Sequence, residues 1–133
     1  MKYMLDTNVL IHLFRNNQDK VRERLSQENI SEVCMSSITY AELEYGVSKS
    51  QARERNEIAL QTVISGIKVL PFGEKAGKEY GDIRATLEKQ GFVIGPNDLL
   101  IAAHAKSEEL ILITHNTKEF NRVKGLNIED WAI

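Results

Sequence analysis

Short apolar runs separated by helix-patterned segments constrain this chain more than any other feature. Tyr3–Leu5, Glu32–Ser36, Lys68–Pro71 and Leu110–Thr114 read as buried strands, and Leu126–Ile128 as a short last strand. Between them lie helical patterns. Thr7–Arg15 opens on a Thr-Asn pair of capping type, and Thr39–Ser48 and Ala52–Ser65 follow. Lys75–Gln90 sets Ala76, Tyr80, Ile83 and Leu87 on one stripe, and Pro96–Ser107 opens with Gly-Pro. Strands that alternate with helices imply a parallel sheet covered on both faces. Sites in such sheets form beyond the carboxyl ends of the strands. The residues just after each strand, and in the first turns of the next helix, are therefore the ones to search.

Four acids stand at such places. Asp6 ends the first apolar run. Glu42 follows the second strand by a turn or two of helix. Asp98 opens the Gly95-Pro96 helix, and Glu119 lies five residues beyond the Leu110–Thr114 strand. An acid in the first turn of a helix is favoured by the helix dipole and needs no further purpose. Asp6 is harder to explain, because desolvation at a sheet edge disfavours its charged form. Asp98 shares a helical face with Ile101, Ala102 and Ala105, and Glu42 with Ile38, Tyr45 and Gly46. Glu44 is turned about 200° from Glu42 by the helical period. Carboxylates on apolar faces are expensive unless paired or bound to a cation. No Lys or Arg opens these elements to neutralise several acids, so a divalent cation is expected. All-oxygen ligands suit Mg²⁺ or Mn²⁺. His12, His104 and His115 lack zinc-like spacing and read as ordinary polar or edge residues. A carboxylate-held Mg²⁺ with Asn8, Thr114 and Asn116 nearby suits phosphodiester hydrolysis.

Composition excludes several other classes. The 133 residues suffice for one domain, expected over 1–133, with a core that needs no disulfide. Apolar residues at 42% and charged residues at 27% are ordinary for a globular protein. No apolar run approaches the roughly 18 residues of a membrane span, and Asp6 inside the first apolar stretch argues against a signal peptide. The lone Cys34, between Val33 and Met35, is expected to be a buried thiol in a reducing cytoplasm. A net charge of −2 is not the footprint of a protein that coats nucleic acid. Local basic stretches do exist. Arg15, Lys20, Arg22 and Arg24 form one, and Lys49, Arg53 and Arg55 another. Solvated helix faces often look the same, but both stretches are candidate phosphate contacts for a nucleic acid, with Arg15, Arg22, Arg24, Lys49 and Arg53 the foremost.

YMLDTNVLI at the start, SSITYAELEYG at 36–46, IGPNDLLIAAHA at 94–105 and LITHNTKEFNRVKGLNIEDW at 112–131 together resemble the PIN-domain ribonucleases. They are especially similar to the VapC toxins of bacterial type II toxin–antitoxin systems. LDTN alone is short; the four motifs in order, at these separations, carry the resemblance over nearly the whole chain. It implies a three-layer α/β/α fold around a central parallel sheet. It also implies an acidic cluster, Asp6, Glu42, Asp98 and Glu119, that binds Mg²⁺ or Mn²⁺ and cleaves RNA. Asp6, Asp98 and Glu42 are the expected metal ligands. The family's polar helpers fall on Thr7, Asn8, Thr114 and Asn116. The fourth acid of the family is often Asp, and the longer Glu119 points to contact through water. The resemblance further implies a cytoplasmic bacterial protein with a VapB antitoxin that blocks the acidic pocket. It implies a homodimer that builds larger toxin–antitoxin complexes. The closing stretch Arg122–Trp131 is similar to that of enterobacterial VapC toxins that cut the initiator tRNA in its anticodon stem-loop.

Other readings fit less well. A phosphatase of the haloacid dehalogenase type needs a second Asp two residues after the first, where this chain has Asn8. A receiver domain needs an acidic pair near the start and a phosphoacceptor Asp after a central strand, and neither is present. A non-catalytic PIN module that only engages RNA or a partner would be expected to lose some of the acids, and all four are retained. A PIN nuclease outside a toxin–antitoxin pair is a further alternative.

Overall fold

The computed structural model describes residues 1–15 and 19–133. Its sheet has five parallel strands in the order β3-β2-β1-β4-β5. The strands are β1 (Tyr3–Leu5), β2 (Val33–Ser36), β3 (Lys68–Leu70), β4 (Ile111–Ile113) and β5 (Ile128–Glu129). The helices are α1 (Thr7–Phe14), α2 (Asp19–Ser26), α3 (Ser37–Ser48), α4 (Arg53–Val63), α5 (Glu74–Lys89), α6 (Pro96–Ser107) and α7 (Thr117–Phe120).

Strand alternation divides the core in two. Met4, Cys34 and Leu112 are in register across the three central strands and point to one face, where they pack on Ile83, Leu87, Ile101 and Ala105 of α5 and α6. Tyr3, Leu5, Val33, Met35 and Ile113 point to the other face, against Val9, Leu10 and Leu13 of α1, Val21 of α2, Leu43 of α3 and Leu60 of α4. Side chains that alternate at period two thus build the expected α/β/α sandwich. Cys34 is fully buried, and burial pushes its thiol up to about 12.

Several expected boundaries shift, each for a local reason. Thr7 and Asn8 do not cap α1; Asp6 does, its Oδ1 accepting the Thr7 N–H at 2.7 Å. Likewise α3 starts at Ser37 rather than Thr39, because Ser36 Oγ accepts the Ile38 N–H. Residues 30–32 form a 3₁₀ turn before β2. β3 is an edge strand with two exposed residues, not a buried one, and stops at Leu70 before Pro71. The last strand is Ile128–Glu129, in register with Leu112 and Ile113. The basic stretch Arg15–Arg24 includes residues 16–18, which lie outside the described residues, and part of it is α2. The short helix α7 has no counterpart among the predicted elements.

The chain begins at the centre of its sheet. After β1 it runs outward to β2 and β3; after β4 it runs the other way to β5. The carboxyl ends of β1 and β4 therefore flank the point where the winding reverses, which is where open α/β sheets hold their ligands.

Candidate active site

Asp6 lies at that reversal and is 1% exposed. Its second oxygen, Oδ2, accepts a 2.8 Å hydrogen bond from Thr114 Oγ1, so the ends of β1 and β4 are tied across the crevice. Thr114 Oγ1 in turn accepts the Asn116 N–H at 3.0 Å. Burial raises the Asp6 carboxyl above its ordinary range, opposed by the Thr114 and Thr7 donors; Glu42 adds repulsion, and His115 counters it.

Thr7 carries the network to the next acid. Its Oγ1 donates to Glu42 Oε1 at 2.7 Å, with Thr39 Oγ1 3.0 Å away. Glu42 is not on the core face of α3, contrary to the expectation from its neighbours. The buried residues of that helix are Thr39, Leu43 and Val47, and Tyr45 is 66% exposed. Glu42 instead faces a groove of about 770 Å³, shared with Asp98. Asp98 does stand beside the buried face of α6, and its carboxyl is pushed up to about 6 by burial and then by repulsion from Asp6, Glu119 and Glu42. Acids from three other segments thus act on Asp98, and Glu42 acts on Asp6 as well. Among the described residues none of the four is ion-paired to Lys, Arg or His.

Glu119 has a different place from the other three. Its Oε1 accepts the Gly95 N–H at 2.9 Å and its Oε2 accepts Asn116 Nδ2 at 2.9 Å. Both oxygens are occupied in clasping the start of α6 to α7, so Glu119 positions Asp98. The amide of Asn116 holds the clasp, and Asn8 lies exposed on the groove wall.

The electrostatics fit a divalent cation. The acids repel one another, none is ion-paired to a cationic side chain among the described residues, and the donors are hard oxygens, so the site could accept positive charge from outside. Among the described residues no three acidic, His or Cys side chains converge as a preformed cage. Mg²⁺ does not require one, since it keeps several waters and uses one or two carboxylates plus substrate phosphate.

The basic candidates separate by location. Arg15 and Lys49 line the groove that holds Glu42 and Asp98. Arg53 is exposed at the start of α4. Arg22 Nη2 donates to the Leu13 carbonyl at 2.8 Å, and Arg24 binds Glu28 at 2.8 Å and lies over the Trp131 ring, so both have structural partners.

Two residues near the site carry more than their sequence context suggested. His104 is not an edge residue: it is 1% exposed, with Nδ1 2.7 Å from Ser36 Oγ, and bridges α6 to the cap of α3. Nothing in its local sequence marks it except its position on the Ile101–Ala105 face. His115 packs on the His12 ring and its Nδ1 lies 3.0 Å from Asp130 Oδ1.

Known proteins are similar to this chain in sequence and in fold. Residues 3–126 match the PIN domain family model. A tRNA(fMet)-specific endonuclease VapC of Shigella flexneri is 46% identical over 99% of both chains, and a ribonuclease VapC2 of Haemophilus influenzae is 44% identical over 99% of both. The crystal structure of DNA-bound VapBC from Salmonella typhimurium superposes with a TM-score of 0.93 at 44% identity, over 98% of both chains. VapBC2 from Rickettsia felis, bound to a fragment of promoter DNA, gives 0.91 at 39%, over 98% of this chain and 99% of that one. The family model spans most of the chain and these relatives nearly all of it, and the chain belongs to the PIN-domain family, in its VapC branch.

Proposed function

We propose that this chain is the toxin of a toxin–antitoxin pair and hydrolyses phosphodiester bonds in RNA with Mg²⁺ or Mn²⁺. The observation that carries the reading is the acid cluster at the winding reversal, where Asp6, Glu42 and Asp98 repel one another and, among the described residues, none is ion-paired to a cationic side chain. Asp6 and Asp98 would hold the cation, with Glu42 completing its surroundings or accepting the proton of the attacking water. A cation held by these residues would supply an activated water and offset charge on the phosphate. Thr7 and Thr114 fix the carboxylates they bond, and the Glu119–Asn116 clasp sets the entry of α6 and therefore Asp98. The reaction adds water across the P–O bond: the water oxygen joins phosphorus, and the departing ribose oxygen leaves with a proton.

The names of the relatives support an RNA substrate, with the initiator tRNA anticodon stem-loop as the first to try. The VapBC complexes support a VapB-type antitoxin as partner. The groove suits one physically. Ile11, Phe14, Val47 and Leu60 line it, and it runs to Glu42 and Asp98, so an amphipathic segment ending in a basic residue would fill it and occupy the acids. Arg15, Lys49 and Arg53, the cations at or near this groove, are the phosphate contacts of this reading. A homodimer within a larger complex, in the bacterial cytoplasm, completes it. Among the described residues no helix is long and apolar enough to cross a membrane.

The test is cleavage of the initiator tRNA anticodon stem-loop by the purified chain. Cutting should need Mg²⁺ or Mn²⁺, stop with EDTA and survive a selective zinc chelator. Asp6→Asn should lower the rate by at least about a hundredfold, the scale of losing a metal-site group; undiminished cleavage by that variant sinks the assignment.

A further inference from the structure

We infer that Phe92 and Arg122 form a stacking ledge for one unpaired base of the RNA substrate, beside the acid cluster. The inference rests on the ribonuclease reading and concerns how the substrate is held.

The ledge is built from two segments that the active site already joins. Glu119 clasps Gly95, and three residues after Glu119 Arg122 Nη1 donates at 3.4 Å to the carbonyl of Val93, two residues before Gly95. The Arg122 guanidinium lies 4.8 Å from the centre of the Phe92 ring. The loop of 91–95 and the turn after α7 are therefore held together at two points, one of them an acid of the cluster.

Phe92 is fixed in place. Helix α5 ends with Gly91 in the left-handed region at φ +77°; the Gly91 N–H bonds the Glu88 carbonyl at 3.1 Å and the Phe92 N–H bonds the Leu87 carbonyl at 2.9 Å. This is the Schellman arrangement, in which the residue at Phe92 usually packs back on the last turn of its helix. Leu87 is buried, yet Phe92 stays 42% exposed and Val93 85% exposed. An aromatic ring and its apolar neighbour are presented to solvent on a hydrogen-bonded turn, followed by buried Ile94.

The charge is complementary to a nucleic-acid strand. Arg122 sits over a ring instead of against a carboxylate, and among the described residues it forms no ion pair. A cleft of about 300 Å³ adjoins it, lined by Asn121, Lys124 and Lys106, with Asp82 as its acid. Lys106 is engaged by Glu79 at 3.4 Å, which leaves Arg122 and Lys124 as the cations for phosphate. Unpaired RNA bases stack on aromatic rings and on guanidinium planes. A base laid on this pair would place its neighbouring phosphates between the cationic cleft and the acids. This side of the site combines one ring, one planar cation and phosphate-binding charge.

The experiment uses the full chain and the anticodon stem-loop of an initiator tRNA, with 2-aminopurine substituted at successive loop positions. Binding is read in the Asp6→Asn background, so that the RNA stays intact, and cleavage in the wild-type background. Phe92→Leu keeps the bulk and removes the ring; it should weaken binding by about tenfold and raise KM to match, with kcat within about twofold. Phe92→Trp should restore affinity, and Arg122→Lys, which keeps charge but not the plane, should behave like Phe92→Leu. The 2-aminopurine fluorescence should be quenched at one loop position and recover in Phe92→Leu. Wild-type affinity and unchanged quenching in a folded Phe92→Leu chain overturn the ledge. Loss of antitoxin binding with RNA binding intact also overturns it and makes the patch a protein contact. A wild-type chain that cleaves no RNA refutes the nuclease reading instead, a result distinct from the other two.

Discussion

Removing the Asp98 charge should make the protein more stable at neutral pH. The carboxyl titrates at about 6 rather than 3.8. The folded state thus holds the proton more tightly than the unfolded chain, and ionising the group works against folding. The sign is fixed by this: the destabilisation is absent below about pH 4, grows as pH rises towards 6 and is complete above it. Each pH unit of displacement corresponds to ~1.36 kcal/mol, or about 3 kcal/mol for the whole rise. Water around this half-buried side chain reduces that to roughly 1–2 kcal/mol. An acid in the first turn of α6 also gains from the helix dipole, about 0.5 kcal/mol that Asn would forfeit. The net gain for Asp98→Asn is therefore about 1 kcal/mol, a rise in Tm of about 4 °C for a chain of this size. Thermal unfolding in EDTA at pH 7.5 and at pH 4 measures it. Mg²⁺ should then raise the Tm of wild type and leave that of the variant nearly unchanged. A variant no more stable than wild type at pH 7.5, or one whose advantage persists at pH 4, refutes the electrostatic account.

Other perturbations have equally definite outcomes. Thr114→Val deletes the donor to Asp6 Oδ2; the Asp6 carboxyl should titrate higher still, and the acid limb of the pH–activity profile should move up. Its stability should fall by about 1 kcal/mol in urea unfolding at neutral pH, since a buried carboxylate oxygen loses its partner. His104 is held neutral by burial, its titration lowered, so wild type should lose stability as pH falls below about 6.5 through the depressed value. His104→Leu should remove that acid-side loss, read by Tm between pH 5 and pH 7, whatever it does to Ser36. Cys34, fully buried with its thiol pushed up to about 12, should react with a thiol reagent only as fast as the protein unfolds, which stopped labelling at graded urea concentrations will show.

The sandwich was legible because strand residues such as Met4 and Leu5 are apolar on both faces while the helices carry one stripe. Asp6 and Asp98 were legible for a related reason: each is a charge among apolar neighbours. The face of Glu42 was misread, because Ile38, Tyr45 and Gly46 look apolar without being the face that packs. Capping by Asp6 and Ser36 was missed because both look like strand ends, and only the bonds to Thr7 and Ile38 N–H groups reveal their second role. Glu119 as a clasp depends on Gly95, 24 residues away, which no spacing rule exposes. The burial of His104 follows from Ser36, 68 residues distant, and is equally invisible in local pattern.

The bond from Thr114 to Asp6 spans 108 residues. During synthesis at ~5–20 residues per second, the first acid therefore waits about 5–20 s for the hydroxyl that orients it. The central strand waits with it, since β1 has no neighbour on one side until Ile111–Ile113 has left the ribosome. A nascent chain stopped anywhere before that point has its N-terminal acid but no assembled crevice. The topology thus delays assembly of the crevice until β4 has been made, and gives any co-translational binding partner that interval in which to meet the chain before its acids converge.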